Sequence, residues 1–217
     1  MWIPRKILSV LPPYWGAGMA DDWELVRRET AYAGYFRIDR CHLRHRRFDG
    51  GWTPVLQREV FERGHAAAVL PYDAQRDEVL LIEQFRVGAI EASSSPWLLE
   101  LVAGIIEAGE AAAEVARREA GEEAGITIDE LVPVCEYLVS PGGTSERTAL
   151  FIGRTDLAGA GGIHGRAEEN EDIRVHVVPA NEAIRWADTG RVNNAAGLIA
   201  LHWFARHHGE LRHRWGA

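Results

Sequence analysis

Lysine is almost missing from this chain: Lys6 is the only one among 24 basic residues. Recognition of phosphate must then fall to arginine, whose planar fork suits bidentate contacts to phosphate oxygens. Positive charge is short as a whole. Acidic residues number 32, the formal net charge is -8 and the pI is near 5.6, a balance that argues against a nucleic-acid backbone as the main partner. A polyanionic substrate entering such a protein needs metal ions or a local arginine cluster to offset the repulsion. Cysteine occurs twice, as Cys41 and Cys135, with neither metal-ligand spacing nor a disulfide framework, so two reduced thiols are expected. No apolar run approaches the roughly 20 residues needed to span a bilayer. The apolar stretch within residues 1–10 is too short for a signal peptide, and no internal repeat is visible. These shortages lead to the expectation of a cytoplasmic protein with neither a membrane nor a nucleic acid as partner.

What is present fits an ordinary globular protein: 217 residues, 47% hydrophobic and 26% charged, enough for one mid-sized domain with a small appendage. Residues 1–21 carry Pro4, Pro12, Pro13, Gly16 and Gly18 with no helical or strand period, and read as an extension. Residues 22–64 read as short strands broken by turns: YAGYFRIDRCHLRHRRF, then Asp49-Gly50-Gly51, then WTPVLQREVF, with the Asp-Gly-Gly as a hairpin signal. HAAAVL (65–70) predicts a strand ending before a turn at Tyr72–Gln75, and EVLLIEQFR (78–86) a second strand. Glu110–Glu123 is rich in Ala, Glu and Arg and predicts a helix stopped by Gly125. Strand-like runs recur at 131–139, 148–153 and 173–178. Helical spacing marks Asn181–His208, with a break near Gly190–Asn194. The basic run Arg44–Arg47 is expected to be a solvated hairpin edge, and His202, His207, His208 and His213 the polar face of a Trp-rich helix.

The chemistry is concentrated in GIIEAGEAAAEVARREAGEEAGI, residues 104–126. Glu119, Glu122 and Glu123 stand at helical spacings of three and four, which puts three carboxylates on one face. Such a face is either solvated or holds a cation, and oxygen donors of this kind suit Mg²⁺ or Mn²⁺. Read in order, the segment gives Gly104, five residues, Glu110, seven residues, Arg118-Glu119, Ala120, one residue, Glu122-Glu123, one residue, then Gly125 and Ile126. This resembles a complete Nudix box, and so many charged positions at fixed spacing make a specific signal. Ala120 is small for its aliphatic position, and Gly121 inside the helix costs about 1 kcal/mol relative to Ala.

The resemblance implies an α/β/α sandwich with a mixed sheet for residues 65–217, and a small N-terminal antiparallel β-domain over 22–64 that packs against a partner subunit in a homodimer. It implies that Glu119, Glu123 and the Ala103 carbonyl bind metal, with Glu122 beside them in a catalytic role. Arg118 and Glu110, with Gly104 and Gly125, would hold the loop-helix-loop together. Further along, SPGGTSER (140–147) puts Pro141 fifteen residues after Ile126, which resembles the ADP-ribose pyrophosphatase branch, where Ser140, Pro141, Gly142 and Glu146 match substrate-reaching positions. GIHGRAEENEDIRVHVV (162–178) is similar to a mobile loop of that branch; by this match Glu169 is the general base and Glu171 another metal ligand, with Glu168 the alternative base. Tyr35 and Phe36 match adenine-framing positions. Arg58, Glu59, Arg63, Arg86 and Ile105 match further substrate-binding positions, Arg86 facing phosphate.

The expected reaction is therefore hydrolysis of ADP-ribose to AMP and ribose 5-phosphate with two or three Mg²⁺ ions. A GDP-mannose or other nucleotide-sugar pyrophosphohydrolase is the rival, followed by a non-catalytic ADP-ribose sensor.

Overall fold

The computed structural model of the protein describes residues 22–166, 168 and 170–216. The expected N-terminal extension and the expected base, Glu169, lie outside these residues. The chain divides into two compact units: one runs up to Arg63 and includes Gly142–Ser145, the other comprises Gly64–Pro141 and the chain from Glu146 onward.

The first unit is a three-stranded antiparallel meander of β1 (Trp23–Ala33), β2 (Arg37–His45) and β3 (Leu56–Glu62). The Asp49-Gly50-Gly51 stretch links β2 to β3, and both glycines take the left-handed φ, 94° and 76°, that a tight reversal demands. One correction to the sequence reading falls here. YAGYF is not continuous strand: the chain turns at Gly34–Phe36, closed by the Gly34 N–H donating to the Phe36 carbonyl at 2.9 Å. Tyr35 and Phe36 therefore stand on a turn. Gly142–Ser145 joins this unit through the Phe61 N–H, which donates to the Gly143 carbonyl at 2.8 Å, and through the Ser145 hydroxyl, which donates to the Glu62 carboxylate.

The second unit is a mixed sheet between helices. Its strands are β4 (Ala66–Asp73), β5 (Glu78–Phe85), β6 (Trp97–Glu100), β7 (Val102–Ile105), β8 (Glu130–Leu138), β9 (Arg147–Arg154), β10 (Gly162–His164) and β11 (Ile173–Pro179). They run in the order β10-β11-β5-β4-β9-β8, with β6 pairing β5 and β7 pairing β4, and β4–β9 is a parallel pair among antiparallel ones. Alternation along the strands sends side chains to two cores. One core sets Ala68, Leu70, Tyr72, Leu81 and Ile152 against α2 (Ala180–Asp188) and α3 (Ala195–Trp215). The other sets Val69, Leu80, Ile82 and Val102 against Ala116, Ala120 and Ala124 of α1 (Ala112–Ala124). This is the expected α/β/α layering of a mixed sheet, accompanied by a small antiparallel sheet. Ala120, small for its position, is fully buried against the sheet.

Element boundaries differ from the sequence reading where tertiary contacts act on them. Strand β4 continues through Tyr72 and Asp73, and the turn lies at Ala74–Asp77. Tyr72 is completely buried and stacks edge-on against Phe204, 4.8 Å between centroids, so tertiary packing holds it in the strand. The last helix runs past His208 to Trp215, whose indole N–H donates to Glu130 at 3.0 Å. It begins where Asn194 caps it, the side-chain oxygen accepting the Gly197 N–H at 3.0 Å.

Asp73 ties the β4 end to the segment after β9. It is 3% exposed, and it accepts the N–H groups of Gln75, Arg76 and Leu157 and the Arg76 guanidinium at 2.7–3.1 Å. Burial opposes ionisation there, but the three backbone donors and Arg76 outweigh it and hold the carboxyl below its usual value. The ionised form is thus favoured by folding. Its contribution is complete above the ordinary carboxylate pKa of about 3.9 and is lost as pH falls through the lowered native value. Asp73→Asn, which turns an amide donor toward these donors, is expected to cost about 2–3 kcal/mol and to flatten the acid limb of the stability curve; urea melts from pH 7 to pH 3 measure both.

Candidate active site

The acidic helix α1 starts at Ala111, whose side chain offers no cap; the Glu114 carboxylate accepts the Ala111 N–H at 3.3 Å instead. It ends at Gly125, left-handed at φ 65°, whose N–H returns to the carbonyls of Ala120 and Gly121. With its alanine stripe buried on the sheet, its acidic side meets β7. That meeting is unusually close. The Ala103 N–H donates to Glu123 Oε2 at 3.0 Å, and a Cβ on Gly104 would lie 1.8 Å from Glu119 Oε1 and 2.5 Å from its Cγ. A side chain at 104 is thus incompatible with the present position of Glu119, whose carboxylate end occupies that volume.

Arg118 spans the acidic face. Its Nε and Nη2 approach Glu110 at 3.1 and 3.3 Å, and its Nη1 approaches Glu119 at 2.7 Å and Glu122 at 3.3 Å. The Glu110 carboxylate also accepts the Glu107 N–H at 3.4 Å, so Arg118 and Glu110 together join the loop to the helix.

Glu123 is 4% exposed. Burial pushes its carboxyl up to about 8; the Ala103 N–H opposes the shift, the charges of Glu119 and Glu171 reinforce it, and Arg86 opposes it. Glu119 is raised as well, by burial first, against the pull of Arg118 and with a push from Glu122 and Glu171. Several carboxylates within electrostatic reach of one another, two of them reluctant to ionise, make a site short of positive charge. An all-oxygen donor set of this kind fits a hard divalent ion. Among the described residues, no three acidic, histidine or cysteine side chains are already gathered round one point, and Arg118 stands between Glu119 and Glu122.

Glu171 is presented by the loop after β10. Its carboxylate accepts the Arg166 N–H at 3.2 Å, and its own N–H donates to the Arg166 carbonyl at 3.2 Å. Gly165, at φ 105°, lies against it: an added Cβ would come within 2.7 Å of the Glu171 Cβ. Glu168, the alternative base, is exposed, with one carboxylate oxygen 3.7 Å from Arg166.

The remaining expected positions lie in both units. In the second, Arg86 follows β5 and pairs with Glu100. Ile105 ends β7, partly exposed, Ser140 and Pro141 are exposed after β8, and Glu146 is buried. In the first, Tyr35 is 90% exposed and packs edge-on against Phe36 at 4.8 Å, and the Arg63 guanidinium lies 5.5 Å from the Phe36 ring. Arg58, Glu59 and Gly142 are exposed. Glu100 went unnoticed in the sequence; its only signal is an acidic residue within the apolar run LLELVAG, where an unpaired charge would be costly.

The family described as the NUDIX domain matches residues 62–201. An ADP-ribose pyrophosphatase of Escherichia coli (strain K12) is 52% identical over 195 residues, covering 90% of this chain and 93% of the relative. One from Haemophilus influenzae is 44% identical, covering 89% and 91%. A GDP-mannose pyrophosphatase of Escherichia coli O1:K1 is 33% identical, covering 88% and 98%. A crystal structure of an ADP compounds hydrolase superposes with a TM-score of 0.68 at 20% identity, over 90% of this chain and 100% of that one, which is a likeness of fold.

Proposed function

The chain belongs to the Nudix family, and from that premise we propose that it hydrolyses the diphosphate of ADP-ribose to AMP and ribose 5-phosphate. The observation that carries the substrate is the 52% identity, over nine-tenths of the chain, to a relative named for that activity. The relative named for GDP-mannose stands at 33%.

In this reading Glu119, Glu123, Glu171 and the Ala103 carbonyl hold two or three Mg²⁺ or Mn²⁺ ions. Bound there, the ions neutralise diphosphate oxygens and lower the pKa of bound water. The support is the placing of Glu119 and Glu123 on one helix face against β7, with Glu123 4% exposed and accepting the Ala103 N–H. The chain's own residues do the rest. Arg86 meets the diphosphate with a planar cation. Glu122 stands on the same helix face, beside Glu123 and in contact with Arg118. Glu169 removes a proton from the attacking water, one P–O bond of the diphosphate breaks as the water oxygen bonds to phosphorus, and the leaving phosphate takes up a proton. By the family resemblance, Tyr35 and Phe36 would frame the adenine, and Arg58, Glu59, Arg63, Ile105, Ser140, Pro141, Gly142 and Glu146 would each contribute to recognition of substrate.

A homodimer built on the first unit is the proposed assembly. Strand β1 is an eleven-residue sheet edge exposed along almost its whole length, with Trp23, Leu25, Val26 and Tyr32 each 42–62% exposed. Unpaired edges and apolar surface of this kind are ordinarily covered. Cys41 and Cys135 are both free thiols, which supports a cytoplasmic setting; none of the described helices is long and apolar enough to cross a membrane.

The test is incubation with Mg²⁺ and, separately, ADP-ribose, GDP-mannose, NADH or ATP, with chromatographic resolution of products. AMP and ribose 5-phosphate forming fastest from ADP-ribose is the expected result. Faster cleavage of GDP-mannose overturns the substrate, and tight ADP-ribose binding without turnover overturns the enzyme in favour of a sensor. Light scattering of the same sample is expected to give about twice the 24.2 kDa chain mass; a single-chain mass sinks the dimer.

A further inference from the structure

Within the five consecutive residues Glu100 to Gly104, three bear on charged groups of the site. Gly104 makes room for Glu119, and the Ala103 N–H holds Glu123. The first of the five, Glu100, holds Arg86: Arg86 Nε donates to Glu100 Oε2 at 2.8 Å, and Nη2 lies 2.7 Å from the same oxygen. Glu100 is the last residue of β6 and pairs with Ile82 of β5. Its neighbours Leu99 and Leu101 belong to the core under α2 and α3, whereas Ile82 and Val102 belong to the core under α1. Strand alternation therefore turns the Glu100 side chain to the face that carries the acidic helix. Its side chain is 16% exposed, against 45% for that of Arg86.

We infer that Glu100 is a positioning residue for the reaction: it fixes the Arg86 guanidinium beside the carboxylate cluster so that the arginine meets the substrate diphosphate in one orientation. The inference rests on the diphosphate hydrolysis proposed above. Three points carry it. Arg118, the other arginine at the cluster, is committed to Glu110, Glu119 and Glu122. Arg86 is near enough for its charge to act on Glu123. The Glu100 contact occupies the Nε side of the guanidinium, and of its five N–H donors the two Nη1 protons point away from that side. A flexible arginine on an exposed loop would lose side-chain entropy on gripping a phosphate, about 0.5–1.5 kcal/mol for such a residue. Holding the fork in place beforehand removes part of that cost.

A double-mutant cycle of Glu100→Gln, Arg86→Ala and the pair tests this. It is run with whichever of ADP-ribose and GDP-mannose the wild type cleaves faster, so that an error of substrate overturns the earlier reading and leaves the cycle intact. Glu100→Gln is expected to lower kcat/KM about 10-fold and Arg86→Ala about 100-fold. The pair is expected to match Arg86→Ala alone, because an orienting group has nothing left to orient. A double variant near the product of the two losses, about 1000-fold, overturns the inference. So does recovery of Glu100→Gln at high Mg²⁺, which would make Glu100 a metal ligand. Thermal melts verify folding; should Glu100→Gln fail to fold, Glu100→Asp, which keeps the charge but retracts the carboxylate, takes its place in the cycle under the same criteria.

Discussion

Glu123→Gln is expected to slow turnover of ADP-ribose by about 10³-fold or more while the chain stays folded. The substitution keeps shape and volume, and the side-chain oxygen of glutamine can still accept the Ala103 N–H that now bonds Glu123 at 3.0 Å. What disappears is a negative charge that burial already disfavours, at a position 4% exposed. In the absence of metal, a group whose charge is costly contributes little to the fold, so the melting temperature should hold or rise. Metal dependence is where the loss should appear. Isothermal titration with Mn²⁺ is expected to show weaker or fewer sites in the variant, alongside the lost activity. Wild-type turnover by Glu123→Gln would remove Glu123 from the ligand set, and unfolding would recast it as structural.

Gly104→Ala should have the second-largest effect, about 10²-fold in kcat. A methyl group there cannot coexist with the present Glu119: contacts of 1.8 Å to Oε1, 2.2 Å to Cδ and 2.5 Å to Cγ require that side chain to swing away. Glu119 would be driven from its place beside β7, and a displacement of about 1 Å in a catalytic group suffices for a loss of that order. Stability should change far less, because Gly104 lies on a partly exposed strand and its φ is not among the left-handed ones. A steady-state assay with a paired thermal melt separates the two. Full activity in Gly104→Ala would mean that Glu119 works equally well from another position. A Glu119→Asp, Gly104→Ala pair that recovers activity would establish the clash as the cause.

The helix, its stop at Gly125 and the acid spacing were legible in the sequence because each is a local matter. Ala-, Glu- and Arg-rich composition favours helix whatever surrounds it, and Gly125 stops it because the left-handed conformation suits a residue without a Cβ. The three- and four-residue spacing of Glu119, Glu122 and Glu123 fixes one helical face before any tertiary contact exists. The apolar runs of β5, β9 and β11 were similarly readable as strands, while the layered mixed sheet was implied by the resemblance of the acidic segment to the family.

Other features came from contacts between distant parts of the chain. Tyr72 and Asp73 looked like turn residues, yet Phe204 and the Leu157 N–H hold them in or at the end of a strand. Glu100, unremarked in the sequence, sits inside an apolar run, where its pairing with Arg86 compensates the charge. The spacing within the box sets Gly104 at a fixed distance from the acidic helix but does not say what it makes room for; that depends on how closely β7 runs beside α1. In this protein the sequence by itself determined which side chains share a helix face and which strands bury which residues, since those follow from periods of 3.6 and 2 residues. The tertiary structure alone decided which charges meet: that Arg118 is spent on three carboxylates, that Arg86 is held by one, and that Glu123 is sealed from water beside Ala103. Charges interact through space and lose their solvent only when the layers close, and neither distance nor burial is written in residue order.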